Sequence, residues 1–181
     1  MLLVGNQDAF PPSHPTTRLC LDLLREALAA APAASLLDMG CGSGVLSLAA
    51  AALGVPRVVA MDISRPAACA TCLNARENHL ACCLTVIQGS TECLRGPFDL
   101  VAANLPRDVQ QEKVAELDRL AGPLGRLILS GFRDNKEKLL AERYRKLGWT
   151  CSRRIIKEFR HPELPPDISF TWVAWLLERK K

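Results

Sequence analysis

The chain has no apolar run near the ~20 residues that a helix needs to cross a bilayer, so no membrane span is expected. Its opening Met1-Leu2-Leu3-Val4 is too short for a signal peptide. Internal repeats and low-complexity tracts are missing, which excludes a repeat architecture. Metal-ligand spacing is missing too. Cys69 and Cys72 are spaced C-x-x-C, but no second such pair and no paired histidines answer them, so no metal site is expected. Aromatic residues are 5% of the chain and rarely interleave with basic ones, which argues against stacking on single-stranded bases.

What remains is an intracellular, cytoplasmic globule. With 181 residues, 49% of them apolar, residues 1–181 are expected to form one domain with a sizeable core. In a reducing compartment the eight cysteines read mostly as small buried hydrophobes. The net charge of +4 permits an acidic or nucleic-acid partner without implying one.

Helical and strand patterns alternate along the chain, which points to an α/β fold with helices on both faces of a mostly parallel sheet. The spacing predicts helices over 16–31, 45–53, 66–79, 109–120 and 136–147. Strands are predicted over 35–39, 57–63, 84–88, 98–103 and 126–130. Residues 149–159 and 170–177 read as a final antiparallel pair, giving seven strands. The Pro-rich loop 160–167 between them reads equally as an acceptor contact or a long hairpin turn. Basic residues crowd the helix from Lys136 and the strand after it; this is a solvated face or a surface for RNA or an acidic partner.

Chemistry concentrates at the carboxyl ends of the parallel strands. Asp38-Met39-Gly40-Cys41-Gly42-Ser43-Gly44 joins the first strand to a helix. Glycines there let the backbone turn tightly and approach a ligand while helix N–H groups stay exposed. The dinucleotide fingerprint G-x-G-x-x-G fails, because Val45 stands where its third glycine belongs. Asp62 ends the second strand, where a carboxylate can accept from both hydroxyls of a ribose. Ser90 follows the third strand, and Asn104 follows the apolar run Phe98–Ala103. His14-Pro15-Thr16-Thr17 enters the first helix and reads as a helix cap or as part of a site. His79 and His161 have no partner pattern and read as surface residues.

The glycine turn with its downstream acid resembles the S-adenosyl-L-methionine site of class I methyltransferases, which have a Rossmann-like fold. His-Pro-Thr-Thr-Arg-Leu-Cys-Leu, Asp-Met-Gly-Cys-Gly-Ser-Gly-Val-Leu, Ala-Met-Asp-Ile, Phe-Asp-Leu-Val-Ala-Ala-Asn-Leu and Gly-Arg-Leu-Ile-Leu-Ser-Gly together resemble the PrmA family, the methyltransferases of ribosomal protein L11. The similarity runs over roughly residues 8 to 177. It implies S-adenosyl-L-methionine as cofactor and methylation of lysine or N-terminal amino groups on a protein, such as a ribosomal protein. The implied cofactor contacts are Thr17, Asp38, Gly40, Cys41, Gly42, Gly44, Asp62, Ile63, Ser90 and Asn104. Asn104 would orient the acceptor amine, and His14 is the candidate base. Two features depart from the family. Pro11-Pro12-Ser13 replaces a Gly-Thr-Gly before the histidine, and the family's N-terminal docking domain is expected to be absent. The alternatives are an RNA or small-molecule methyltransferase on the same fold, or a non-catalytic cofactor-binding partner subunit.

Overall fold

Apolar residues of alternating direction along the central strands put one core on each face of a single sheet. The computed structural model describes residues 2–5, 11–158 and 171–179. The strands β1 (Ser35–Met39), β2 (Arg57–Asp62), β3 (Leu84–Gln88), β4 (Phe98–Asn104), β5 (Ala121–Arg133), β6 (Trp149–Lys157) and β7 (Trp172–Arg179) are ordered β3-β2-β1-β4-β5-β7-β6. The first five are parallel to their neighbours, and β7 runs antiparallel between β5 and β6. The doubly wound sheet with a C-terminal antiparallel hairpin is therefore as expected.

Six helices cover the sheet: α1 (Pro15–Ala30), α2 (Val45–Ala52), α3 (Arg65–Glu77), α4 (Arg107–Glu112), α5 (Val114–Leu120) and α6 (Glu137–Lys146). On one face Leu36, Leu100 and Ile128 meet Leu23 and Leu24 of α1 and Ala50 of α2, all of them 1% exposed or less. On the other face Leu37, Val101 and Leu127 meet Leu117 of α5 and Leu140 of α6, all fully buried. Full burial of a leucine contributes about 1.5–3 kcal/mol. These layers make the sheet a rigid platform for whatever its strand ends carry.

Because β1 lies centrally, the chain winds one way through β2 and β3 and the other way through β4 and β5. The crevice that opens at such a reversal lies at the carboxyl ends of β1 and β4. α1 packs across that region and ends without a glycine cap. The buried Arg126 of β5 replaces one, donating to the carbonyls of Ala27 and, at 2.8 Å, Ala31.

Four expectations need correcting. The helix expected over 109–120 is two helices. Lys113 breaks it with φ −93° and ψ 8°, and its ammonium leaves toward Glu92 at 2.6 Å. β5 starts at Ala121, not 126, because Gly122-Pro123 sit inside the extended strand rather than ahead of it. Asn104 is the last residue of β4 instead of the first beyond it. The cysteines are not mostly buried. Only Cys20 and Cys41 are, while Cys69, Cys82, Cys93 and Cys151 are exposed. The loop 160–167, His161, and the strand ends expected at Phe159 and Phe170 lie outside the described residues. His79 is exposed, in the turn after α3. No described helix is long and apolar enough to cross a membrane.

Candidate functional site

Between β1 and α2 the backbone turns three times through left-handed conformations. Gly40, Gly42 and Gly44 have φ of +73°, +57° and +81°. That region costs other residues roughly 1–2 kcal/mol each. The turn is tied to its neighbour strand, with Gly40 N and Cys41 N both donating to Met61 O, at 2.8 and 3.0 Å. A Cβ on Gly40 would overlap the side chain of Leu105, so this glycine is also needed for space. From behind, the buried Thr71 and Asn74 of α3 donate to Gly42 O at 3.0 Å and Ser43 O at 2.8 Å.

Asp62 closes the turn from the end of β2. One carboxylate oxygen accepts from Gly42 N at 3.0 Å and the other from Ser64 N at 2.9 Å. A carboxylate has about four acceptor positions. Two such bonds therefore orient the group and leave acceptor capacity for a ligand.

Asp38 has a different task from the one its position in the motif suggests. It is 1% exposed, and its Oδ2 accepts from Ser47 N at 3.0 Å and Ser47 Oγ at 2.6 Å. Since Gly44 has no side chain to cap α2, Asp38 supplies the missing acceptor from the strand. Burial pushes its carboxyl up to about 6, with the Ser47 hydrogen bonds pulling the other way and the Asp62 charge adding to the rise. The unfolded carboxyl loses its proton near ~3.9. Between these values the unfolded state releases a proton that the folded state keeps, so rising pH costs stability from about pH 4 to about pH 6. Asp38→Asn removes this penalty. The stability of the variant relative to the parent should rise by about 2–3 kcal/mol from pH 4 to pH 7. Urea unfolding at both pH values checks this, and a constant difference would contradict it.

These elements surround a cleft of about 800 Å³, within the range of small-molecule sites. Thr17, Asp38, Gly40, Cys41, Gly42, Asp62, Ile63, Ser90, Asn104 and His14 all line it. Gly44 does not. It turns away as the first residue of the α2 cap, where a Cβ would lie 2.8 Å from Thr71. Ile63 stands 77% exposed at the rim. Thr17 is buried, and its hydroxyl accepts from Asn104 Nδ2 at the outer limit of 3.5 Å. Asn104 Oδ1 is buried and has no hydrogen-bond partner among the described residues. An unmet buried acceptor costs about 1–3 kcal/mol, so its persistence beside a cleft points to a ligand's N–H.

His14 is the N-cap of α1. Its Nδ1 accepts from Thr16 N at 3.3 Å and lies 2.8 Å from Thr16 Oγ1. Burial lowers its pKa from the ordinary histidine value, which favours the neutral ring. A neutral ring whose Nδ1 accepts carries its hydrogen on Nε2. The Nδ1 lone pair is thus engaged in capping α1 at the edge of the cleft.

Several lining residues carried no signal in the sequence. Trp172 of β7 comes from the far end of the chain and packs edge-on against His14, with ring centroids 5.1 Å apart. Val109 lines the cleft too, and Lys113 reaches Ser90 Oγ at 3.3 Å; the lining Leu105, by contrast, ends the Phe-Asp-Leu-Val-Ala-Ala-Asn-Leu motif, and Pro106 follows it. The Lys113 ammonium holds the Glu92 carboxyl down at about 2. Gly131 had a signal, since it closes the Leu-Ser-Gly stretch of β5. No group of three metal-ligating side chains occurs among the described residues.

The profile of the family "Ribosomal protein L11 methyltransferase (PrmA)" matches residues 11–158. The chain belongs to this family. A ribosomal protein L11 methyltransferase of Syntrophotalea carbinolica is 39% identical over 139 residues, covering 76% of this chain and 45% of that protein. The chain thus spans about half the length of the curated relatives it matches. A solved ribosomal protein L11 methylase from Lactobacillus delbrueckii subsp. bulgaricus superposes with a TM-score of 0.79 at 25% identity, covering 96% of this chain and 82% of that one. Magnesium protoporphyrin IX methyltransferase from Synechocystis PCC 6803, solved with bound SAM, shares the fold at a TM-score of 0.73 and 21% identity. The match covers 90% of this chain and 79% of that one. The His-Pro-Thr-Thr entry and the Leu-Ser-Gly stretch of β5 meet in this one cleft through Thr17 and Gly131.

Proposed function

We propose that the chain is an S-adenosyl-L-methionine-dependent methyltransferase domain, spanning residues 1–181, that acts in the cytoplasm on amino groups of a protein such as a ribosomal protein. The observation that carries this reading is the buried, unpartnered Oδ1 of Asn104, a residue that lines a glycine-cradled cleft in a member of the PrmA family. The fit to the cofactor rests on three features. The cleft is large enough, Asp62 keeps acceptor capacity for sugar hydroxyls, and Gly40 leaves a cradle with no room for a side chain.

When bound, S-adenosyl-L-methionine supplies a methyl group activated on a sulfonium. The glycine turn would hold its amino-acid end, Asp62 its ribose, and Ile63 and Ser90 its adenine. With the methyl already activated, the domain's task is proximity and alignment. Asn104 Oδ1 accepts an N–H of the incoming amine and turns its lone pair toward the methyl. A lysine amine must arrive neutral although its ordinary pKa is near ~10.4. The apolar walls of Leu105, Pro106, Val109 and Trp172 disfavour its charged form.

The test incubates the protein with methyl-labelled cofactor and cell extract. Label lost to protease and kept through ribonuclease supports a protein acceptor. Label lost to ribonuclease moves the acceptor to RNA, and label in small molecules moves it there. Cofactor binding without transfer makes the chain a partner subunit. No binding at all overturns the reading.

A further inference from the structure

Gln110 of α4 touches no part of the cleft, yet its contacts converge on it. The residue is fully buried, and its Nε2 reaches Ala103 O at 3.2 Å, Leu105 O at 3.3 Å, and Ser130 O. Its Oε1 has no partner among the described residues. The opposite amide orientation would set Oε1 against three carbonyl oxygens, so the contacts define which end faces the strands. Ala103 and Leu105 flank Asn104 in the chain, and Ser130 is the register partner of Asn104 on β5. One buried amide thus grips the backbone before, after and beside Asn104.

The Asn104 side chain has little to hold it otherwise. Its Oδ1 is unbonded, and its Nδ2 reaches Thr17 Oγ1 only at 3.5 Å, a distance at which a hydrogen bond is weak. Its direction is therefore set through its backbone. The break after α4 serves the same end. A continuous helix would pass straight from Gln110 to α5. With the chain interrupted at Lys113, α4 is a separate short helix that carries Gln110 against Ala103, Leu105 and Ser130.

We infer that Gln110 is a positioning residue, aiming Asn104 Oδ1 at the site of methyl transfer. This rests on the function proposed above, and the experiment separates the two. Binding of S-adenosylhomocysteine and of sinefungin is measured by calorimetry on the purified chain. Sinefungin carries a protonated amine where the cofactor carries its methyl sulfonium, so it can donate to Asn104 Oδ1, while S-adenosylhomocysteine cannot. The parent should prefer sinefungin by about 10-fold or more, as expected for a hydrogen bond to a charged donor. Gln110→Leu should bind S-adenosylhomocysteine within about 3-fold of the parent and lose most of the preference, matching Asn104→Leu. A merely destabilising change would lower the melting temperature and leave the ratio of the two affinities alone.

If Gln110→Leu does not fold, Gln110→Glu keeps the size. Its protonated carboxyl donates to the loop at low pH, and its carboxylate repels the same carbonyls at high pH. Its sinefungin preference should then grow as pH falls. Full preference retained in Gln110→Leu, a pH-independent preference in Gln110→Glu, or equal binding of both compounds by the parent overturns the positioning role. Failure of the parent to bind S-adenosylhomocysteine overturns the function proposal instead.

Discussion

Gly131→Ala should lower the melting temperature by about 4–20 °C. Gly131 sits at the bulge where β5 changes register against β7, with φ +99°. An alanine there adopts backbone angles that cost roughly 1–2 kcal/mol. Its Cβ would also overlap the carbonyl of Leu105, a backbone group that cannot rotate away. Overpacking of this kind adds about 1–3 kcal/mol. Together they amount to about 2–5 kcal/mol, and each kcal/mol shifts the transition by roughly 2–4 °C in a chain of this size. Because Leu105 follows Asn104, cofactor affinity and transfer should fall together with stability. Differential scanning calorimetry reads the first effect; an unchanged transition would mean that the strand end yields freely.

Asp62→Ala should weaken binding of S-adenosylhomocysteine by about 30- to 300-fold. Loss of hydrogen bonds to a charged acceptor accounts for about 1.5–3 kcal/mol. The bonds to Gly42 N and Ser64 N add to this, because without them the glycine turn is no longer held in its bound shape. Asp62→Asn separates the contributions. Its amide oxygen can keep one of the two N–H bonds while its NH₂ opposes the other, so its affinity should fall between those of parent and alanine variant. Calorimetry on the three proteins decides, and equal affinities would remove Asp62 from the site.

Much of the site was legible because its chemistry is local. Asp38 to Gly44 and Asp62 declare themselves through glycine spacing and through the length of the strand between them, and ten of the eleven candidate residues line one cleft. Gly44 caps α2 and packs closely on Thr71 without lining the cleft; glycine serves equally for touching a ligand and for close packing, and sequence does not separate these uses. Asp38 lines the cleft, and its Oδ2 also accepts from Ser47, nine residues on. His14 reads in the sequence as a helix cap or as part of a site, and the structure has it capping α1 while lining the cleft. The break at Lys113 was hidden because Val109 to Leu120 has unbroken helical periodicity. The break falls at Lys113, whose ammonium pairs with Glu92, 21 residues away.

By itself the sequence determined the α/β alternation, the seven strands, the glycine turn with its distal carboxylate, and the family motifs. Each of these depends on residues close together in the chain, where backbone sterics and side-chain periodicity decide the outcome. Only the tertiary structure brought Trp172 against His14, set Gly131 under Leu105, and closed Gln110 on three carbonyls from two strands. Those contacts join segments between 5 and 158 residues apart. They follow from strand order and register, which are set by how the two cores pack on the sheet and leave no mark on local sequence.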